Sequence, residues 1–213
     1  MRGLMQDWPL TVDRILEHAA SVHGEREIVT RRTDGMLHST TYGQVRRRSA
    51  QLSNALKRLG IGPGARVATL AWNSERHMEC WYGAMGIGAV LHTLNPRLHS
   101  DQLAWIANHA QDRVLILDTS FVPLVEAMKD RLPVEQYVII ADRNAMPENR
   151  LGALCYEDWV AAESDNCLWG GFDETDACGL CYTSGTTGNP KGVLYSHRSN
   201  VLHAMMAVSK DVM

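Results

Sequence analysis

The stretch of this 213-residue chain richest in groups that could do chemistry is Tyr182-Thr183-Ser184-Gly185-Thr186-Thr187-Gly188-Asn189-Pro190-Lys191-Gly192-Val193. Gly185, Gly188 and Gly192 let backbone N–H groups approach a ligand closely and reach positive φ at little cost. Thr183, Ser184, Thr186 and Thr187 offer hydroxyl donors. Lys191 adds a compact positive charge, and Pro190, with fixed φ and no N–H, stiffens the chain just before it. Amides, hydroxyls and one ammonium suit a polyanion such as a triphosphate, because nests of N–H groups bind anions. The stretch is not the G-x-x-x-x-G-K-[ST] phosphate loop. Pro190 rather than glycine precedes Lys191, and Gly192 follows where that loop carries its magnesium-binding hydroxyl. A kinase or GTPase is therefore disfavoured. The plain alternative is a flexible surface loop of small polar residues, and the specific order of residues speaks against it.

Other candidate groups read as structural. Five cysteines, an odd number at irregular spacing, argue against a disulfide framework. Cys178 and Cys181 form a C-x-x-C inside an apolar run that reads as a strand. Residues three apart on a strand point to opposite faces, so buried structural thiols are expected. No second pair completes a zinc site, and the nine histidines show no H-E-x-x-H spacing. Arg46-Arg47-Arg48, the densest basic run, falls in a helical pattern and reads as a solvated face. The net charge of -3 gives no strong pull toward nucleic acid or anionic membrane. No apolar run approaches the roughly 18 residues of a membrane span, and the N-terminus lacks a signal-peptide core. The expected compartment is cytoplasmic.

The elements that must position the loop follow from periodicity. A short helix is expected from Thr11, as its cap, to about Ser21, with Val12, Ile15, Leu16 and Ala19 as its stripe. Residues 27–32 and 37–41 read as a hairpin around Asp34-Gly35. A long helix opens at Thr41, with Val45, Ser49, Leu52, Leu56 and Leu59 on one face and Gly60 as its stop. Strands are expected at 66–71, 89–94, 114–117 and 137–140. The helices between them are one capped by Ser74 carrying Met78, Trp81, Tyr82 and Met85, one capped by Ser100, and one over about 122–131. A short helix over 156–162 precedes a buried strand at 177–182. A returning strand at 191–195 follows the loop. Ser196 then caps a last helix bearing Val201, Leu202, Met205 and Met206. Strands alternating with helices predict an α/β fold: a mostly parallel sheet of βαβ units flanked by helices. Residues 1–175 read as one α/β subdomain, and 176–213 as the strand, phosphate loop and helix that begin the next.

Tyr182 to Val193, continuing through Leu194-Tyr195-Ser196-His197-Arg198, resembles the phosphate-loop signature of the adenylate-forming enzymes, and most of all the acyl-CoA synthetases (fatty-acid–CoA ligases). Thr41-Tyr42, Gly62-Pro63-Gly64-Ala65-Arg66-Val67-Ala68, Gly86-Ile87-Gly88-Ala89-Val90 and Leu94-Asn95-Pro96 are similar to family landmarks in the same order, so the likeness covers nearly the whole chain. It implies ATP, magnesium and coenzyme A as cofactors or substrates, with a carboxylic (fatty) acid as the acyl donor. It implies that Thr183, Ser184, Gly185, Thr186, Thr187 and Gly188 cradle the β- and γ-phosphates. Lys191 then neutralises them as the catalytic residue, and Thr183 lies near the magnesium ion. His197 and Arg198 read as polar first-turn residues of the last helix. Family motifs for adenine, ribose and the acyl pocket lie beyond this stretch, so the chain is expected to be an N-terminal portion, inactive alone. Two alternatives stay open: another adenylate-forming enzyme (aryl or amino-acid activating), and a non-catalytic nucleotide-binding or oligomerisation module; a homodimer stays open under every reading.

Overall fold

The structure, a computed structural model, describes residues 1, 3–5, 7–33, 35–183 and 189–209. Asp34 of the expected turn and Ser184, Gly185, Thr186, Thr187 and Gly188 of the expected loop lie outside the described residues.

Seven strands form one sheet in the order β7-β6-β5-β3-β4-β8-β9. They are β3 (Arg66–Leu70), β4 (Val90–Thr93), β5 (Val114–Asp118), β6 (Gln136–Ile140), β7 (Leu154–Cys155), β8 (Ala177–Thr183) and β9 (Lys191–Ser196). Every neighbouring pair is parallel except β8–β9. Strands buried on both faces need apolar residues throughout, and all five residues of β5 are buried. Alternate residues feed two cores. Val67, Leu91, Val114, Ile116 and Val138 face one core, while Ala68, Leu115, Leu117, Tyr137 and Ile139 face the other. On the first side lie α1 (Asp13–His23), α2 (Tyr42–Arg58), α3 (Glu75–Met85) and α6 (Tyr156–Ala161). On the second lie α4 (Ser100–Ala110) and α5 (Val122–Met128). The expected parallel, helix-flanked sheet is present. β1 (Glu27–Arg31) and β2 (Leu37–Thr41) form the expected antiparallel hairpin apart from it.

Local chemistry sets most boundaries. Thr41 and Gln44 form a reciprocal capping box at the start of α2. Ser74 accepts the His77 N–H and starts α3. Three expectations need correction, and one strand was not foreseen. Thr11 does not cap α1; it is buried, and the cap position, Val12, makes no side-chain bond. Ser100 is the first residue of α4, while His99 Nδ1 accepts the Asp101 N–H. The helix after β5 ends at Met128 and tightens into a 3-10 turn over Lys129–Arg131. β7, two residues pairing with β6, is too short to leave a periodic signal.

The largest departure is the buried face of α3. Trp81 is 39% exposed, while Glu75, Arg76, His77, Glu79, Cys80, Gly83, Ala84 and Met85 are buried. The cause is the close approach of α2. A Cβ at Gly83 would lie 2.9 Å from Leu52 Cδ2 and 3.0 Å from the Ser49 carbonyl oxygen. Ser53 Oγ donates to the Gly83 carbonyl at 2.7 Å, fastening the two helices there. The charges turned inward are paired. Arg48 reaches Glu79 at 2.6 Å and Glu157 at 2.9 Å, and Arg76 pairs with Glu157 at 2.8 Å and with Asp142. Tyr156 Oη donates to Glu79 at 2.7 Å. Burial pushes the Glu79 carboxyl up, against the lowering effect of Arg48. The basic run is thus no uniform solvated face. Arg46 lies over the Trp169 ring at 3.7 Å and Arg48 is tied to Glu79, while Arg47 is exposed.

Candidate functional site

β8 carries the chain to the expected loop. Its side chains alternate in burial, with Cys178 and Leu180 inward. A strand buried on both faces was expected; next to the edge strand β9, one of its faces is only partly covered. β9 returns antiparallel, placing Cys181 opposite Val193, Tyr182 opposite Gly192 and Thr183 opposite Lys191. Thr183 and Lys191 therefore face each other across the hairpin base, both exposed, at the carboxyl end of β8. β3, β4, β5 and β6 run parallel to β8, so their carboxyl ends lie at the same end of the sheet. Open α/β sheets bind ligands outside the carboxyl ends of their strands. Asn189 is exposed and Pro190 buried immediately before Lys191.

Ser196 ends β9 and accepts the Ser199 N–H, starting α7 (His197–Ala207). The N-terminus of α7 therefore lies at the end of β9 remote from Lys191, and its dipole does not serve the loop. His197 occupies the first turn as expected but is fully buried. Its Nδ1 accepts the Val12 N–H at 3.2 Å, and its ring stacks on Phe172 with centroids 4.4 Å apart. Burial lowers its pKa. Arg198 pairs with Glu174, whose carboxylate also accepts the Leu10 N–H at 2.7 Å. These two residues bind the segment before α1 to α7 and stand away from the loop base.

All five cysteines are free. Cys178 is buried, accepts from Asn200 Nδ2 at 3.1 Å and has its thiol pushed up to about 11 by burial. Cys181 is partly exposed, 3.4 Å from Thr93 Oγ1. Among the described residues no three His, Cys, Asp or Glu side chains are grouped to hold a metal ion.

Sequence reasoning missed the polar support beneath Tyr182. His92 on β4 is fully buried and hydrogen-bonded through Nδ1 to Asp112 at 2.9 Å. His109 at the end of α4 meets Tyr182 Oη at 2.6 Å. These residues are scattered over separate elements with no repeating spacing. The one available signal was a histidine inside the apolar run of β4.

Comparison with known proteins fits this geometry. The AMP-binding enzyme model matches residues 16–213. A 3-methylmercaptopropionyl-CoA ligase of Ruegeria lacuscaerulensis is 45% identical over 214 residues, covering 100% of this chain and 40% of its own. A medium-chain-fatty-acid–CoA ligase of Ectopseudomonas oleovorans is 43% identical, covering 100% of this chain and 39% of its own. The anthranilate CoA ligase AuaEII, solved in complex with anthranoyl-AMP, superposes with a TM-score of 0.83 at 30% identity over 93% of this chain and 37% of that one. The chain thus spans about 40% of the length of the curated relatives it matches. The parallel sheet, the antiparallel β8–β9 pair at its edge and a match over nearly the whole length agree: this chain belongs to the AMP-binding enzyme family.

Proposed function

We propose that the chain is part of an ATP-dependent acid–thiol ligase that activates a carboxylic acid of the fatty-acid class and transfers it to coenzyme A. The observation that carries this reading is the exposed Thr183–Lys191 pair across the base of a Gly/Ser/Thr loop at the sheet's carboxyl end. The names of the matched CoA ligases support the acid–thiol assignment.

In the first step a carboxylate oxygen attacks the α-phosphorus of ATP. The bond to the bridging oxygen breaks, and acyl-AMP and pyrophosphate form. In the second the coenzyme A sulfur attacks the acyl carbon, its proton is lost and AMP leaves. Charge builds on the departing pyrophosphate, so donors aimed there lower the barrier. On this reading Ser184, Gly185, Thr186, Thr187 and Gly188 supply amides and hydroxyls, and Lys191 supplies the counter-charge. Thr183 is exposed, and among the described residues no three His, Cys, Asp or Glu side chains are grouped to hold a metal ion, a setting suited to magnesium held mainly by phosphate oxygens and water. Magnesium bound there would neutralise phosphate charge. We read 176–213 as the opening of a second subdomain that shares the first one's sheet through β8 and β4. No helix of the described residues is long and apolar enough to cross a membrane; the enzyme is read as cytoplasmic.

The likeness to an anthranilate CoA ligase favours a second reading, an aryl acid as substrate. Acid-dependent pyrophosphate release by a protein of the relatives' full length, tested on fatty and aryl acids, separates the two. The loop assignment is tested by calorimetric titration of the 213-residue chain with Mg-ATP. The Lys191→Ala variant is expected to bind about tenfold or more weakly, since hydrogen bonds to charged groups are worth about 1.5–3 kcal/mol. Equal binding by wild type and variant would remove Lys191 from the site. The chain alone is expected to give no sustained AMP from ATP, a fatty acid and coenzyme A.

A further inference from the structure

Next to the Thr183–Lys191 pair on the β8–β9 ladder stands the pair Tyr182–Gly192. Tyr182 precedes Thr183 and stands directly opposite Gly192, the residue after Lys191. Its ring occupies the space a side chain at Gly192 would need. A Cβ built there would lie 3.1 Å from Tyr182 Cζ and 3.3 Å from Oη. The ring therefore lies across the β9 backbone one residue from Lys191.

The same ring is oriented from the opposite side by α4. Tyr182 Oη is hydrogen-bonded to His109 Nδ1 at 2.6 Å. The His109 ring stacks on Trp105 with centroids 4.8 Å apart and an interplanar angle of 15°. Trp105 meets Tyr182 edge-on, at 6.4 Å and 86°. The His92 ring lies 5.3 Å from the Tyr182 ring, and both Asp112 carboxylate oxygens lie 2.9 Å from His92 Nδ1. His92 and Asp112 are fully buried, so this backing cannot shift without breaking a buried pair. The hydroxyl bond to His109, by contrast, is exposed. An exposed neutral hydrogen bond adds little to stability, and its consequence here is directional.

We propose that Tyr182, oriented by His109 and backed by the His92–Asp112 pair, is a positioning residue that sets Lys191 against Thr183 and thereby the fit of a magnesium polyphosphate at the loop base. The inference rests on the triphosphate reading of the site given above.

The 213-residue chain is titrated with Mg-ATP and, separately, with magnesium tripolyphosphate, and amide 1H–15N spectra are recorded without ligand. Tyr182→Phe and His109→Ala are each expected to weaken both ligands about 3–10-fold, the range of one neutral hydrogen bond. Thermal midpoints stay within ~2 °C of wild type. His109→Asn, which restores an acceptor near the place of Nδ1, recovers most of the affinity. Without ligand, the amides of Thr183, Lys191 and Gly192 shift in Tyr182→Phe and His109→Ala and return in His109→Asn. If Lys191→Ala weakens binding while Tyr182→Phe and His109→Ala bind as wild type, the positioning role is overturned and the triphosphate reading stands. If the wild type ignores both ligands while the amides shift, the polyphosphate assignment falls and the positioning of Lys191 is upheld. Unmoved amides overturn the positioning role whatever the ligands do.

Discussion

The two flanks of this molecule treat charge in opposite ways. Between α2, α3 and α6, arginines and carboxylates turn inward and are paired: Arg48 with Glu79 and Glu157, Arg76 with Glu157 and Asp142. At the β8–β9 edge, Lys191 is exposed and makes no ion pair among the described residues. A buried charge must be neutralised where it sits, so a buried pair tolerates no loss of a partner. An exposed lysine keeps its hydration and is available to an anionic ligand. The apolar residues divide likewise. Leu52 on α2 is fully buried, whereas Leu194 on β9 is 63% exposed. One flank is built to hold and the other to meet something.

The comparison breaks most visibly at Arg48. Arg48→Ala leaves the Glu79 carboxylate buried with Tyr156 as its remaining partner, and urea unfolding is expected to show a loss of about 3–5 kcal/mol. An effect below 1 kcal/mol would mean that solvent replaces the arginine. Next is Leu52→Ala, beside the Gly83 crossing, with an expected loss of about 3 kcal/mol from transfer and cavity. On the other flank the corresponding truncation, Leu194→Ala, should stay within about 0.5 kcal/mol. A loss there as large as at Leu52 would erase the distinction between the flanks.

A pH series sharpens the contrast at intermediate size. Burial depresses the pKa of His77 and His197 below the ordinary histidine value of 6.5. The folded state therefore holds both neutral, and their contribution is complete above the unfolded-state pKa. It is lost as pH falls below 6.5 toward the lower folded values, because the unfolded chain takes up the protons first. Denaturation midpoints should fall over that interval, and His197→Asn should flatten part of the slope. A slope unchanged in the variant would remove His197 from the account. The smallest expected loss on the α2 side is at a helix start. Thr41→Ala removes one arm of the capping box and should cost about 1 kcal/mol, read by chemical denaturation.

Much of the scaffold was readable because period and punctuation agreed. The stripe Val45, Ser49, Leu52 and Leu56 is buried as its spacing implies, and Thr41, Ser74 and Ser196 cap where expected. Where packing overrode pattern, reading failed. α3 buries glutamates and an arginine in preference to Trp81, because Gly83 admits α2 on that side. α7 presents Leu202, Met205 and Met206 outward and buries Val201 alone of the four. At the candidate site, the order of residues from Tyr182 to Val193 is what points to a phosphate-binding segment, while nothing in it announced His92, Asp112 or His109.

By itself the sequence determined the parallel sheet and the family, since each depends on local periodicity or on an ordered run of residues. The tertiary structure alone decided which charges pair in the interior and which side chains gather around Tyr182. Those contacts join residues as far apart in the chain as Arg48 and Glu157, or His109 and Tyr182, and they exist only once helices and strands have packed to bring them within hydrogen-bond reach.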